Sequence, residues 1–137
     1  MKYLLENPVK GSIGIQKYKT SITWRNGAFV SDEPEKQGGQ DLGPDPYTLL
    51  LSSLITCTLV TLRMYIDHKG YHIPEIEIET NMYLRIENNE IKTHIERTIH
   101  FKSELDEETT KRLLNVAEQC PVSKLLKQGA FVNTTAM

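Results

Sequence analysis

The residues of this chain with the most specific chemistry are its two cysteines, Cys57 and Cys120. They lie far apart in the sequence, and neither belongs to a CxxC pair. Thiols bind metals and react mainly as thiolates, so their surroundings decide between metal binding, redox chemistry and inert packing. A four-ligand zinc site would need help from the histidines, which are His68, His72, His94 and His100. None of these stands at ligand spacing beside either cysteine, so no metal site is expected.

Length and composition are those of an ordinary globular protein. The 137 residues, 39% hydrophobic and 25% charged, are enough for one domain with a buried core. A formal net charge of -2 gives no sign of a nucleic-acid-binding surface. The first residues, MKYLLENPVK, have too short an apolar run for a signal peptide. We therefore expect a cytosolic protein without nucleic-acid or membrane partners, in a compartment where structural disulfides are rare.

The longest apolar block, residues 43–70, carries Cys57 near its middle and predicts a long helix. Asp45 is placed to cap its start, Pro46 suits the first helical position, and Gly70 suits the stop. The apolar side chains of the block cover nearly the whole helix circumference. They are Leu49, Leu50, Leu51, Leu54, Ile55, Leu59, Val60 and Leu62. Spanning a membrane needs about 20 predominantly apolar residues, and serines and threonines interrupt this block, so we expect a buried central helix.

The residues before this helix, 1–42, predict strands and a loop. Ser12–Trp24 alternates loosely between apolar and polar residues, which predicts a strand. Asn26-Gly27 is a strong hairpin signal, so Ala28–Ser31 should return as a second strand. The charged and glycine-rich run DEPEKQGGQDLG then predicts a loop that leads into the helix.

The residues after the helix, 71–137, predict a strand pair, a second helix and a final strand. Alternation of apolar and polar residues over Ile76–Ile86 and Ile91–Phe101 indicates an antiparallel hairpin with one inner face. Arg97 breaks the pattern of the second strand because it stands in the inward register. Its inward position makes it a candidate for a functional role.

The predicted second helix brings Cys120 to a helix end. Asp106 should cap its start, and the proline after Cys120 should stop it or bend it. Val122–Lys127 predicts a further short helical turn, and Ala130–Thr134 predicts a closing strand. Strands, a long helix, strands, a helix and a strand, in that order, are typical of an α+β domain.

Two sequence contexts, one around each cysteine, resemble a known family. They are PYTLLLSSLITCTLVTLRMY around Cys57 and AEQCPV around Cys120, in this order and at this spacing. Together with the DEP and GG residues upstream, they make the chain similar to the OsmC/Ohr family, named for osmotically induced protein C and organic hydroperoxide resistance protein. The resemblance covers most of the chain. It implies an OsmC-like fold over 1–137 as one domain, in which antiparallel sheets wrap around long central helices in an intertwined homodimer.

The resemblance also implies a function, the reduction of organic hydroperoxides by thiols without a cofactor. Carried over by motif, Cys57 is the peroxidatic cysteine, and Cys120 converts its sulfenic acid to a disulfide. A cellular dithiol would then restore both thiols. Because Cys57 stands among apolar residues, we expect a preference for hydrophobic hydroperoxides over hydrogen peroxide.

Such a role requires a positive charge or several hydrogen-bond donors near Cys57. A free cysteine is only about 3% thiolate at neutral pH, and apolar burial in mid-helix raises the pKa further. Arg25, in the N-terminal hairpin, is the first candidate, because the best-known branch of the family holds its catalytic arginine roughly there. Arg97 is its rival.

One departure from the family pattern favours a second interpretation. The hydroperoxide-resistance branch carries a glutamate at the start of the central helix that orients the arginine, and this sequence has Tyr47-Thr48 there. The alternative function is that of a non-catalytic OsmC-like dimer that binds a small hydrophobic ligand. Both cysteines would then be part of a buried lining.

Overall fold

The computed structural model describes all 137 residues and has a mixed architecture of three α-helices and two antiparallel sheets, which confirms the predicted α+β class. The chain forms two compact units, 1–50 and 51–137. A single domain over 1–137 stays a prediction. The elements in order are β1 (Lys10–Ile13), β2 (Thr20–Trp24), β3 (Gly27–Ser31), α1 (Pro46–Lys69), β4 (Ile76–Glu87), β5 (Glu90–Phe101), α2 (Glu107–Ala117) and α3 (Pro121–Gln128).

The first unit contains a three-stranded antiparallel sheet in the order β1-β2-β3. The prediction of one strand over Ser12–Trp24 is wrong, because β1 pairs with β2 and the chain must reverse direction between them. The predicted hairpin is confirmed, with Trp24 paired to Gly27 across the turn. A Cβ atom on Gly27 would lie 2.4 Å from a carbon of the Trp24 ring, so a larger residue there would force the indole to move.

The loop between β3 and α1 is organised around the buried carboxylate of Asp32. Its Oδ1 accepts the backbone N–H groups of Tyr18 (3.1 Å) and Glu33 (2.8 Å). Its Oδ2 accepts those of Gln40 and Leu42, both at 3.2 Å. A segment that the sequence predicts only as a charged loop is therefore fixed by four hydrogen bonds to a single side chain.

Replacing Asp32 with asparagine should lower the melting temperature at neutral pH by several degrees, because the amide turns one acceptor into a donor that faces N–H groups. Burial raises the pKa of Asp32, but the backbone donors outweigh it and hold the pKa below the ordinary 3.8. The carboxylate therefore contributes its full stability above that value and loses it as the pH falls through the lowered pKa. The difference in melting temperature between wild type and variant should therefore become smaller in acid. Thermal melts across this pH range measure that difference, and a difference independent of pH would contradict the prediction.

Replacing Gly39 with alanine should destabilise the first unit by about 3 kcal/mol or more. The added Cβ would lie 2.0 Å from the backbone oxygen of Glu33, a distance that only a backbone shift relieves. Gly14→Ala is the matched control, since a Cβ there meets nothing within 4 Å. Urea unfolding of the two variants measures their free energies of unfolding. Equal decreases would show that the backbone near Gly39 moves to accommodate the Cβ atom without a loss of stability.

The central helix α1 confirms its predicted ends. The Asp45 carboxylate accepts the N–H groups of Tyr47 (3.1 Å) and Thr48 (3.4 Å) in the first turn, as an N-cap residue does. Gly70 follows the last helical residue with a φ of 73°, a left-handed conformation that glycine adopts without strain.

The expectation that α1 is buried all round is wrong for the single chain. Its buried residues form one stripe, Leu54, Thr58, Leu62 and Ile66, spaced four apart. Apolar residues on the other faces stay in contact with solvent, and Met64 is 68% exposed. By length and composition α1 could also cross a bilayer, a test that core helices of soluble proteins pass as well.

The second unit builds its core between α1, the β4–β5 hairpin and α2. The fully or almost fully buried residues of this core are Leu62, Ile66, Ile73, Leu113 and Ala117. The two long strands pair from Ile76↔Phe101 to Glu87↔Glu90. Asn88 and Asn89 form the connecting turn with φ values of 50° and 65°, which confirms the predicted hairpin.

The C-terminal region differs from its prediction in two places. The helix capped by Asp106, whose carboxylate accepts the Thr109 N–H at 2.9 Å, ends at Ala117 and not at the proline. Pro121 instead occupies the first turn of α3. The predicted strand over Ala130–Thr134 is absent, because no strand of either sheet in this chain pairs with it.

Candidate active site

The structure brings the two cysteines together. Cys57 projects from the middle of α1, Cys120 stands at the start of α3, and both thiols are free. The two thiols are close enough for each to shift the pKa of the other. Cys57 is partly exposed, whereas Cys120 is completely buried. A reagent from solvent therefore reaches the sulfur of Cys57 first.

The sulfur of Cys120 lies at the N-terminus of α3, where the helix leaves free N–H donors. Cys120 is the N-cap residue, and its Sγ accepts the backbone N–H of Ser123 at 3.5 Å. Pro121 has no N–H to offer, so the N–H of Val122 is the first donor of the helix, and it interacts with both sulfurs. Sulfur at such a position is favoured as an anion by the hydrogen bonds and the helix dipole.

A threonine next to Cys57 in the sequence connects the Cys120 sulfur to a cation. Thr58 is fully buried, and its Oγ1 lies 3.6 Å from Cys120 Sγ and 2.7 Å from the backbone oxygen of Leu54. Arg97 Nη1 donates a hydrogen bond to the same Oγ1 at 2.9 Å. The single hydroxyl hydrogen can therefore turn to either the Leu54 carbonyl or the sulfur.

Arg97 is held in place by a carboxylate. Its Nη2 lies 3.2 Å from Glu118 Oε1, and its side chain is only 12% exposed. Lys127 donates to the other oxygen of Glu118, and this hydrogen bond, with the charge of Arg97, holds the pKa of Glu118 below its ordinary value. Glu118 is therefore paired with two cations, and one of them, Arg97, also contacts Thr58.

The pKa shifts of the two thiols point in opposite directions. Burial and contact with the Cys120 thiol raise the pKa of Cys57. Burial would raise the pKa of Cys120 too, but hydrogen bonds from Cys57, from the Ser123 N–H and from Thr58 outweigh it and lower this pKa. Hydrogen bonds from the Val122 N–H and from Thr61 lower the pKa of Cys57, but they do not offset its burial and the contact with Cys120.

Of the two arginines weighed from the sequence, Arg97 belongs to this cluster. Its inward register in β5 is confirmed by its contact with Thr58. Arg25 lies in the first unit, exposed in the turn between β2 and β3, and its part in the site stays a prediction. Sequence reasoning missed Thr58 and Glu118, although Thr58 directly follows Cys57 and Glu118 stands two residues before Cys120 in the quoted motifs.

A cavity of about 540 Å³ opens beside the cluster. Leu54, Ile95 and Leu126 give it apolar walls, and Arg97 and Glu118 give it a charged one. Cavities with apolar walls and a few polar groups are the usual form of small-molecule sites. No group of three or more histidine, cysteine, aspartate or glutamate side chains is placed to hold a metal ion.

Comparison with solved structures identifies the fold. The organic hydroperoxide resistance protein OsmC of Legionella pneumophila superposes with a TM-score of 0.67 at 18% identity, over 92% of each chain. That of Elizabethkingia anophelis gives 0.67 at 17% identity over 91% of each chain. OhrB of Bacillus subtilis gives 0.62 at 23% identity, over 88% of this chain and 91% of its own. Likeness at this level of identity establishes the fold and leaves the activity to be argued from the site.

The sequence itself establishes the family. No curated protein matches the chain. The family pattern described as OsmC-like protein, however, matches residues 38–135, which include α1, both strands of the long hairpin and both cysteines. The chain therefore belongs to the OsmC-like protein family.

Proposed function

We propose that this protein is a thiol-dependent peroxidase that reduces organic hydroperoxides with Cys57 and Cys120 and without a cofactor. The observation that carries the proposal is the proximity of a partly exposed thiol to a buried one at a helix N-terminus. Such a pair is suited to attack by one sulfur and disulfide formation by the other. The solved structures of organic hydroperoxide resistance proteins with this fold support the same chemistry.

The reaction follows from the positions of the two sulfurs. Cys57, as thiolate, attacks the terminal oxygen of the hydroperoxide, the O–O bond breaks, and the alkoxide leaves and takes a proton to become the alcohol. The resulting Cys57 sulfenic acid is attacked by Cys120, which forms the disulfide and releases water. A dithiol then reduces the disulfide by exchange and is itself oxidised.

Arg25 is proposed as the cation that faces Cys57 during the attack. A guanidinium stabilises both a thiolate and the developing alkoxide, and it stays charged at all relevant pH values. Arg97 is the alternative, and its bonds to Thr58 and Glu118 support a role nearer to Cys120. Substituting each arginine by methionine and comparing the rates of cumene hydroperoxide consumption separates the two.

We propose further that the protein acts as a cytosolic homodimer. The faces of α1 that the single chain leaves open carry large apolar residues, among them Val60 and Met64. A second copy would cover these faces, as the intertwined dimer implied by the family resemblance would require. An apolar wall around the thiols would also favour hydrophobic hydroperoxides over hydrogen peroxide.

The test is catalytic consumption of cumene hydroperoxide with dithiothreitol as the dithiol. We expect the wild type to consume it many times faster than the buffer does, and faster than it consumes hydrogen peroxide. Consumption no faster than in buffer would remove the peroxidase proposal.

The cavity supports one alternative function, binding of a small hydrophobic ligand without catalysis. Its volume suits a small molecule, and neither cysteine is among its lining residues. Native mass spectrometry of the purified protein distinguishes the two functions. A retained ligand together with thiols inert to hydroperoxide would favour binding, whereas a ligand-free protein with reactive thiols would favour catalysis.

A further inference from the structure

Cys120 lies in a short junction between two helices. Glu118 is the C-cap residue of α2, Cys120 is the N-cap residue of α3, and Gln119 stands between them. The N–H of Cys120 donates to the backbone oxygen of Ala117 at 3.2 Å, so the chain turns within these residues. The position of the Cys120 sulfur relative to Cys57 therefore depends on how this junction is held against the elements around it.

The side chain of Glu118 connects the junction to two other elements. Its Oε1 lies 3.2 Å from Arg97 Nη2 of β5, and its Oε2 accepts a hydrogen bond from Lys127 in the last turn of α3. The hydrogen bond from Lys127 and the charge of Arg97 hold the pKa of Glu118 below its ordinary value, so the carboxylate is ionised at neutral pH. One side chain thus fixes the start of the junction to a neighbouring strand and to the far end of the helix that follows.

Arg97 extends this connection to the helix that carries Cys57. Its Nη1 donates to Thr58 Oγ1 at 2.9 Å, its Nη2 faces Glu118, and its side chain is only 12% exposed. Thr58 directly follows Cys57 on α1 and is fully buried. A continuous set of contacts therefore extends from the residue beside one thiol, through a largely buried guanidinium, to the residue two positions before the other thiol.

The exposure of the Glu118–Lys127 pair indicates a role in positioning more than in stability. The two side chains are 48% and 61% exposed, and ion pairs in contact with solvent add little to the free energy of folding. In contrast, the rate of a reaction between two held groups can fall about a hundredfold when one of them is displaced by about 1 Å. Loss of the Glu118 carboxylate should therefore affect folding little and affect strongly a step in which the two sulfurs must meet.

We propose that Glu118 is a positioning residue for disulfide formation and that, through Arg97 and Lys127, it holds Cys120 within reach of the Cys57 sulfenic acid. This role rests on the proposed function, in which Cys57 attacks the hydroperoxide and Cys120 resolves the product. In the positioned step the Cys120 sulfur bonds to the Cys57 sulfur, and the S–O bond of the sulfenic acid breaks. The leaving hydroxide takes the Cys120 proton and departs as water, so the Cys120 sulfur is oxidised and the Cys57 sulfur is reduced without a further reagent.

The test measures the two steps of a single turnover separately in Glu118→Gln. The amide keeps the size of the side chain but removes the charge, and its NH₂ group would face cationic donors. After mixing with one equivalent of cumene hydroperoxide, loss of the peroxide reports the attack, and mass spectrometry of quenched and alkylated samples reports the disulfide. We expect an attack rate within about twofold of wild type and disulfide formation slower by about tenfold or more. Dimedone, which reacts with sulfenic acids, should then label a larger share of Cys57 in the variant than in the wild type.

Two further variants separate positioning from a general effect of charge. Glu108→Gln is the matched control, because Glu108 lies on the same helix, is 83% exposed and pairs with Arg112 at 3.5 Å. It should leave both steps unchanged. Lys127→Met breaks only the contact with α3 and should slow disulfide formation severalfold. The double variant of Glu118→Gln and Lys127→Met should be no slower than Glu118→Gln alone, because both changes break the same contact.

Several outcomes would overturn the role of Glu118 and leave the peroxidase proposal standing. They are disulfide formation at the wild-type rate in Glu118→Gln, slowing of both steps by the same factor, and multiplicative slowing in the double variant. A wild type that consumes no hydroperoxide would overturn both proposals. Melting temperatures show whether each variant is folded. If Glu118→Gln is not, Lys127→Met decides, and an unchanged rate of disulfide formation in that variant would overturn the role.

Discussion

Replacing Cys57 with serine should reduce the hydroperoxide reductase activity by about 10⁴-fold or more, the loss expected when a catalytic nucleophile is removed. Serine has nearly the size of cysteine and keeps one donor for the Cys120 sulfur, so the loss would report the missing nucleophile and not a collapsed site. A serine hydroxyl is not appreciably ionised near neutral pH, and its oxygen is a poor nucleophile toward an O–O bond. The measurement is cumene hydroperoxide consumption at a fixed dithiol concentration.

The control for this variant is Thr56→Ser. Thr56 lies one residue from Cys57 on α1, but it is exposed and its hydroxyl bonds only to the backbone oxygen of Ser53. The change removes one methyl group and should leave the rate within about twofold of wild type, as is usual for surface substitutions. If Cys57→Ser retained the activity of this control, Cys57 would not be the attacking sulfur.

Replacing Leu113 with alanine should lower the free energy of unfolding by about 2–5 kcal/mol, the range for truncation of a buried leucine. Leu113 is completely buried in the core that α2 forms with α1 and the hairpin. Its neighbour Leu114 is 44% exposed and is the matched control. Leu114→Ala should cost less than about 1 kcal/mol, because it leaves no cavity.

Urea unfolding followed by circular dichroism measures both leucine variants. Similar decreases in the free energy of unfolding would mean that Leu114 is buried in the assembled protein, and its assignment to the exposed surface would then be wrong.

The elements with strong local signals could be predicted from the sequence. The ends of α1 follow from Asp45, Pro46 and Gly70, which act through capping, a fixed φ and a left-handed stop. The long hairpin follows from period-two alternation and the Asn88-Asn89 turn. In each case the cause lies within a few residues of the effect, so the local sequence is sufficient.

The site could be predicted only in part, because its decisive contacts join distant segments. The two cysteine motifs name the reactive residues, but nothing local to them shows that Arg97 of β5 reaches Thr58 of α1. The proline after Cys120 predicts the end of a helix, but in the structure it lies in the first turn of α3. The N–H groups at the start of α3 therefore point toward the Cys120 sulfur. Proline is compatible with the end of one helix and with the start of the next, and only the tertiary fold decides between these two positions.

The burial of α1 was misjudged for a related reason. An apolar circumference predicts a helix that is covered on all sides, but the sequence does not say whether the cover comes from its own chain. Within one chain, only the stripe from Leu54 to Ile66 is covered. The remaining apolar faces are those we assign to a second copy.

The most direct test of the account is to oxidise the reduced protein with one equivalent of cumene hydroperoxide, block the remaining thiols by alkylation, and map the peptides. We expect the loss of both free thiols and a disulfide between Cys57 and Cys120. Two alkylated cysteines after the same treatment, or a bridge that joins Cys57 to Cys57 of another chain, would contradict it.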